Sequence, residues 1–399
     1  MLPRVKIVYS NGALGQVAEM ADGCLGFVAL GAKEVTGEGN FKLGVAYKVK
    51  KLAGLETLGV TSANNPNLYR NVKDFYAESG DGVELWIMGF AETATFATVF
   101  DRDNTAGAKA LLLASKGKIR GLIAFKTPAS GYSPTLTAGL DSDVMAALVK
   151  AQALGDWATE ERYAPIFSLI EGYAFTGDDT KLTDLMTMTY NRCGIVIGDT
   201  SKGSKNAAMG IVAGRIAKSP VQRKISRVKT GALTPLEMYV GDKLVDEADV
   251  ESINDKGYIT FRTFVGKAGY FVADDHLATA ATDDYNSLSN RRVIDKAYRI
   301  AYNTLVDTLN DEVPIATDGN LSPAWCTSVK GDVEQSIITS MTANGNLGND
   351  PSDPNDTGVE CSISYEQQIL ATSRFAAGLR VKPNGYAKYI DVDLGFKTA

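Results

Sequence analysis

Between residues 64 and 218, segments with the spacing of amphipathic helices alternate with short, almost continuous apolar runs. NNPNLYRNVKDFYAESG is typical of a helix, because Pro66 lies near its first turn and Gly80 follows its end. VELWIMGF, IRGLIAFKTP, PIFSLIEGYAF and NRCGIVIGDTS have the apolar continuity of buried parallel strands. Further helical patterns are NTAGAKALLLASKG, DSDVMAALVKAQALGDWATEE and NAAMGIVAGRIAKS. The alternation predicts an α/β layer built on a parallel sheet.

Changes in the pattern of apolar and polar residues divide the chain into four regions. We expect residues 1–20 to form an N-terminal β arm, and the short β-like runs in residues 21–63 predict a small β region. We expect residues 64–228 to form the central α/β domain, and residues 229–399 to form a C-terminal α+β domain with a long helical pattern from about Ser289 to Asn310. The predicted fold class is therefore α/β, or α+β for the chain as a whole.

Composition argues against several classes of function. The formal net charge is −6 with Lys and Arg scattered along the chain, so we expect no binding of nucleic acid. The four cysteines form no CxxC pair, which favours reduced thiols in a cytosolic compartment. The N-terminus lacks a long apolar stretch and no apolar run reaches about 18 residues, so we expect neither a signal peptide nor membrane insertion.

Catalytic and metal-binding patterns are weak. His276 is the one histidine, and although Asp274 and Asp275 precede it, no second histidine at metal-ligand spacing is available. Without another candidate base or a GxSxG motif, we expect no serine nucleophile. An acidic loop with Asp350, Asp353 and Asp356 lacks the EF-hand pattern and is better explained as a solvated insertion. The sequence therefore predicts no catalytic residue, no metal site and no cofactor.

One loop supports an alternative. GDTSKGSKN follows the apolar run CGIVI and precedes a helix, which is the context of a phosphate-binding loop. Gly198 and Gly203 have the required spacing, but Ser204 shifts the lysine to Lys205, and Asn206 takes the place of the metal-binding hydroxyl. An α/β enzyme or nucleotide-binding protein using the Gly198–Lys205 loop remains the alternative function.

Both ends of the chain have the alternating pattern of β-strands. The end LRVKPNGYAKYIDVDLGF predicts a hairpin whose register is set by the turn at Pro383, Asn384 and Gly385. A two-stranded hairpin is marginal in water and its edges accept further strands, so we expect the arms to pair with neighbouring molecules and build a ring or a helix. The predicted interface residues are Val5, Ile7, Tyr9, Val381, Tyr386, Ile390, Val392, Leu394 and Phe396.

The second half of the chain resembles a known family. The stretch GYITFRTFVGKAGYFVADDHLATAATDDYNSLSNRRVIDKAYRIAYNTL, with Asn290, Arg291 and Arg292 opening its helix, is similar to the core of contractile tail sheath proteins from phages and related contractile injection systems. GIVAGRIAKSP and the closing hairpin resemble further parts of that family. The chain departs from it after Val272, where the family often has Trp-Gly and this chain has Ala273 and Asp274.

The resemblance implies a structural role. The central domain would be subtilisin-like without a catalytic triad, and the chain would form a helical homopolymer around an inner tail tube, in the virion tail after assembly in the bacterial host cytoplasm. Its partners would be other copies of itself, the tube protein, and baseplate and tail terminator proteins. Contraction would drive the tube through the target cell envelope. A tube or capsid component also needs terminal arms, but the central α/β domain argues against it.

Overall fold

The computed structural model describes residues 21–37, 39–350 and 352–396. The described residues form two compact units, one that ends at residue 291 and one that begins at residue 292. The strands are β1 (Leu25–Leu30), β2 (Ala46–Val49), β3 (Leu85–Phe90), β4 (Gly121–Lys126), β5 (Leu136–Thr137), β6 (Leu140–Asp141), β7 (Phe167–Glu171), β8 (Thr189–Tyr190), β9 (Cys193–Val196), β10 (Tyr239–Val240), β11 (Lys243–Leu244), β12 (Phe261–Phe264), β13 (Lys267–Val272), β14 (Ala278–Thr279), β15 (Val359–Ile363) and β16 (Ala377–Val381). The helices are α1 (Leu52–Thr57), α2 (Pro66–Ser79), α3 (Phe96–Phe100), α4 (Ala108–Ala114), α5 (Ser142–Glu160), α6 (Met209–Lys218), α7 (Val250–Asp255), α8 (Leu288–Val306), α9 (Pro323–Ile337) and α10 (Ile369–Thr372).

The first unit is built on a six-stranded sheet with the order β2-β3-β1-β4-β7-β9. All neighbours are parallel except β2, which runs antiparallel to β3. Every residue of β1, β4, β7 and β9 is buried, so both faces of the sheet are covered. Burial on both faces accounts for the nearly continuous apolar runs. The predicted mixed α/β class is confirmed.

The core of the sheet is organised around aromatic side chains from β1 and α2. The ring of Phe27 makes edge-to-face contacts with Phe75 and Phe125, at centroid distances of 5.7 and 5.4 Å. Such contacts add about 0.5–1.5 kcal/mol to the burial of the rings. The predicted helix at Pro66 is α2, which begins at that proline and is followed by Gly80.

Residues 21–63 differ from the expectation of a separate small β region. Their strands β1 and β2 belong to the six-stranded sheet, and β1 lies at its centre between β3 and β4. The α/β domain also continues past its expected boundary at residue 228. Ile259 forms a parallel bridge with Val196 and closes the outer edge of β9. The first unit accordingly extends to residue 291.

The second unit contains α9 and the antiparallel pair β15 and β16. The helix expected from Ser289 to Asn310 corresponds to α8, which ends at Val306. The boundary between the two units falls within this helix. The predicted closing hairpin is not formed among the described residues, because β16 pairs with β15 and residues 382–396 contain no strand. Among the described residues, no helix has both the length and the apolar composition needed to cross a bilayer.

Helices α2 and α6 approach each other closely at Gly210 and Gly214. A Cβ atom at Gly210 would lie 2.2 Å from the backbone oxygen of Asn71, and one at Gly214 would lie 2.7 Å from that of Phe75. The side chain of Asn71 also accepts a hydrogen bond from the N–H of Gly210 at 2.8 Å. Only glycine permits this packing.

We therefore expect Gly210→Ala to lower the free energy of unfolding by about 1–3 kcal/mol through overpacking. The matched control is Gly331→Ala in α9, where an added Cβ meets no heavy atom within 4 Å. That control should be neutral or stabilising by up to about 1 kcal/mol, because alanine favours helix more than glycine does. Thermal unfolding of both variants measures the difference, and equal stability would contradict the proposed close packing.

Candidate functional site: an assembly interface

The pair β15 and β16 has one face turned inward and one face exposed. Their register places Cys361 opposite Leu379 and Val359 opposite Val381, and these side chains are buried or half-buried. Phe375, just before β16, packs edge-to-face on Trp325 of α9 at 5.3 Å. The small sheet is thus held on α9 by its apolar face.

The outer edge of β16 is open. The N–H of Lys382 donates to Gly358, so residues 378, 380 and 382 direct their backbone groups towards β15. The N–H and C=O groups of Ala377, Leu379 and Val381 alternate with these and point away from it. Within the part of the chain that the structure describes, no strand pairs with this edge. It can therefore accept a further strand.

The opposite edge of the same sheet is closed by a side chain. A carboxylate oxygen of Glu334, on α9, accepts the outward N–H of Cys361 at 2.8 Å. The edge of the large sheet at β2 is protected differently, because Lys48, Lys50 and Lys51 lie on it or beside it. Charged residues of this kind discourage strand addition. Of these three edges, the edge of β16 is the one suited to pairing with a further strand.

Residues 386–396 follow β16 and expose large apolar side chains. Tyr389, Ile390, Val392, Leu394 and Phe396 are between 75% and 104% exposed. Isolated exposed apolar residues are ordinary, but an alternating set of this length marks an interaction site. The segment has the alternating pattern of a strand, and no strand of the described residues pairs with it in a sheet.

The predicted interface residues fall into three groups. Val381 lies in β16, whereas Tyr386, Ile390, Val392, Leu394 and Phe396 lie in the segment after it. Val5, Ile7 and Tyr9 are outside the described residues. Sequence reasoning did not identify Glu334, since nothing in its helical pattern shows that it reaches the backbone of Cys361.

Several backbone donors in or beside the Gly198–Lys205 loop of the alternative function are already engaged in hydrogen bonds within the chain. The N–H groups of Asp199 and Gly203 donate to the carbonyls of Tyr239 and Gly241, each at 2.9 Å. The N–H of Ala207 donates to the buried carboxylate of Glu171, also at 2.9 Å. Phosphate binding requires free N–H groups at such a loop, so this geometry does not favour a nucleotide.

Glu171 lies at the carboxyl end of β7 and is fully buried. Its second oxygen accepts the N–H of Lys126 at 2.8 Å. Burial raises the pKa of Glu171 to about 7, although the two backbone hydrogen bonds act in the opposite direction. The carboxyl group therefore accepts a backbone N–H just before the start of α6.

The acidic residues near His276 form an ion cluster with a lysine. Lys224 Nζ contacts both Asp274 and Asp275, and His276 Nε2 lies 3.5 Å from Asp274. Asp275 also accepts the N–H of Ser289 at 3.0 Å, which caps the start of α8. The acidic residues near His276 therefore pair with Lys224 and cap α8.

The acidic loop near the end of the chain is likewise internally bonded. Asp356 pairs with Lys382 at 2.7 Å and accepts the N–H of Asp350 at 2.8 Å. Across residues 21–37, 39–350 and 352–396, no three His, Cys, Asp or Glu side chains converge in an arrangement that could hold a metal ion. The loop instead fixes the end of β16.

We expect no saturable binding of ATP with magnesium by isothermal titration calorimetry, because the N–H groups of Asp199 and Gly203 already donate to backbone carbonyls of the chain. Lys205→Ala is the matched variant, and its titration should be indistinguishable from that of the wild type. Binding by the wild type that Lys205→Ala abolishes would support the alternative function.

We expect the stability of the wild type, relative to Glu171→Gln, to fall as pH rises from about 5 to 8. Because the pKa of Glu171 is raised, the folded chain keeps a proton that the unfolded chain has lost. The stability that the wild type has from this proton is therefore present at acid pH and disappears above pH 7. The full change in the free energy of unfolding, relative to Glu171→Gln, is about 3 kcal/mol. Urea unfolding at several pH values measures it, and parallel profiles for the two proteins would contradict it.

Structural comparison relates the whole chain to sheath assemblies. A chain of the anti-feeding prophage (AFP) baseplate, 6-fold symmetrised, is 13% identical with a TM-score of 0.62, covering 100% of this chain and 99% of that one. A chain of the AFP helical sheath in the contracted state is 13% identical with a TM-score of 0.61 and the same coverage. A chain of the PVC sheath complex, from an extracellular contractile injection system in the contracted state, is 14% identical with a TM-score of 0.62, covering 100% and 98%.

These likenesses show that the chain shares the fold of proteins in contractile sheath assemblies. A comparison with curated protein sequences found no match. The family profile "DUF2586, N-terminal domain" matches residues 2–276, and "DUF2586, C-terminal domain" matches residues 284–399. The chain therefore belongs to the DUF2586 family.

Proposed function

We propose that this protein is the subunit of a contractile sheath, which polymerises as a helical sleeve around an inner tube. The observation that carries the proposal is the open edge of β16 together with the exposed, strand-like segment 386–396 in the same chain. The fold shared with AFP and PVC sheath proteins over nearly the full length of each chain supports it.

The proposed joint is a strand exchange between subunits. Segment 386–396 of one copy adds to β16 of the next, so the contact is heterologous and repeats along the assembly. About six added backbone hydrogen bonds at roughly 0.5–1.5 kcal/mol each would contribute several kcal/mol per joint. Burial of apolar side chains from the segment adds to this.

Such a joint suits a sleeve that contracts. The strand remains paired while the rigid bodies of neighbouring subunits repack, so the polymer changes its geometry without dissociating. The extended state would be metastable and the contracted state would have better contacts between subunits. The first unit would contribute a rigid body, in which ion pairs join Arg70 to Asp199 and Arg215 to Glu78.

The same proposal covers the remaining partners. The inner tube, the baseplate and the terminator would contact the sleeve, and the N-terminal residues Val5, Ile7 and Tyr9 would form a second arm. The assembled location would be the tail of a phage or of a related injection device, formed in the bacterial cytoplasm. The proposal requires no nucleotide and no catalytic residue.

Deletion of residues 383–399 should leave a folded protein that does not polymerise. The reason is that the large apolar side chains after residue 388 are exposed, so removing them takes little buried surface from the folded chain. Circular dichroism and thermal unfolding should match those of the full-length protein. Negative-stain electron microscopy should show striated hollow sleeves for the full chain only, and normal sleeves from the truncated chain would contradict the proposal.

A further inference from the structure

The exposed face of the β15 and β16 pair carries opposite charges side by side. Glu360 and Arg380 are directly opposite each other in the register and both are exposed. No salt bridge of Arg380 occurs among the described residues. The guanidinium therefore has room for a partner on the open side of β16.

Segment 386–396 has the complementary pattern. Asp391 and Asp393 alternate with Ile390, Val392 and Leu394, so in a strand the two carboxylates share one face and the apolar side chains share the other. Both carboxylates are exposed. Aligning the apolar face with Leu379 and Val381 necessarily puts Asp391 and Asp393 on the face of Arg380.

We propose that this charge pattern selects the edge and the register of the joint between two copies of the chain. The inference rests on the proposed function, which supplies the strand exchange. The exposed face would then carry a negative charge on β15 at Glu360, a positive charge on β16 at Arg380, and a negative charge on the added strand at Asp391 or Asp393. Opposite charges on neighbouring strands stabilise a pairing, and like charges oppose it.

The pattern also excludes wrong pairings. Addition to β15 would put the two aspartates beside Glu360, a repulsive arrangement, on an edge that Glu334 already closes. A slip of one residue would turn the apolar side chains to solvent. A register that keeps the apolar face inward and an aspartate next to Arg380 satisfies both requirements, in either strand direction.

The test uses a charge exchange within the receiving sheet. The double variant Glu360→Arg/Arg380→Glu keeps the opposite-charge pair and the net charge of the chain, but it presents a carboxylate to the incoming strand. Circular dichroism and thermal unfolding verify that the full-length variant folds like the wild type. The probe is a fluorescent peptide of residues 386–396, in the natural form and with Asp391→Lys/Asp393→Lys.

Fluorescence anisotropy is measured with full-length protein below the concentration at which light scattering rises. The natural peptide should bind the wild type about ten-fold more tightly than the exchanged variant, and the lysine peptide should show the reverse preference. The natural pairing should weaken as salt rises, because the charges are exposed. Equal affinities in all four combinations, or no binding in any, would overturn the inference.

The outcomes separate this inference from the proposed function. Charge-dependent peptide binding without sleeves in electron micrographs of the full chain would support the pairing and contradict the sheath role. Sleeves that form equally well from the wild type and the exchanged variant would support the sheath role and contradict the charge selection.

Discussion

Unpaired backbone groups along one edge of β16 are the constraint on which this account of the protein depends. A strand in a two-stranded sheet has donors and acceptors on its outer side, and a sheet of two strands is marginal without further support. Here α9 supports one face of the sheet, and Glu334 closes one edge. Within the described residues, the outer edge of β16 has unpaired backbone groups, and segment 386–396 has the pattern of a strand. A second copy of the chain can pair the two.

The first unit has the opposite character. Its sheet is covered on both faces, its outer edge at β9 is closed by Ile259, and its buried acids have defined partners. The carboxyl ends of parallel strands are where α/β proteins usually bind ligands. In this chain the charged and polar groups of Lys126, Glu171 and Asp199 at that edge make internal hydrogen bonds and ion pairs.

Much of the fold could be predicted from local sequence, and the exceptions have physical reasons. The helix at Pro66 and the buried runs of β3, β4, β7 and β9 have strong patterns that depend on neighbouring residues only. The position of β1 at the centre of the sheet could not be predicted, because strand order is set by long-range packing. The closing residues have the alternation of a strand, but alternation does not say whether the partner belongs to the same chain. The turn at Pro383 and Gly385 favoured a hairpin that the structure replaces with the pairing of β15 and β16.

Amide hydrogen exchange with the assembled and unassembled full-length protein tests the central claim most directly. If neighbouring copies exchange strands, the amides of residues 377–381 and of residues 386–396 should become strongly protected together on assembly, whereas β1 should stay protected in both states. Rapid exchange of either segment in the assembled protein would contradict the account.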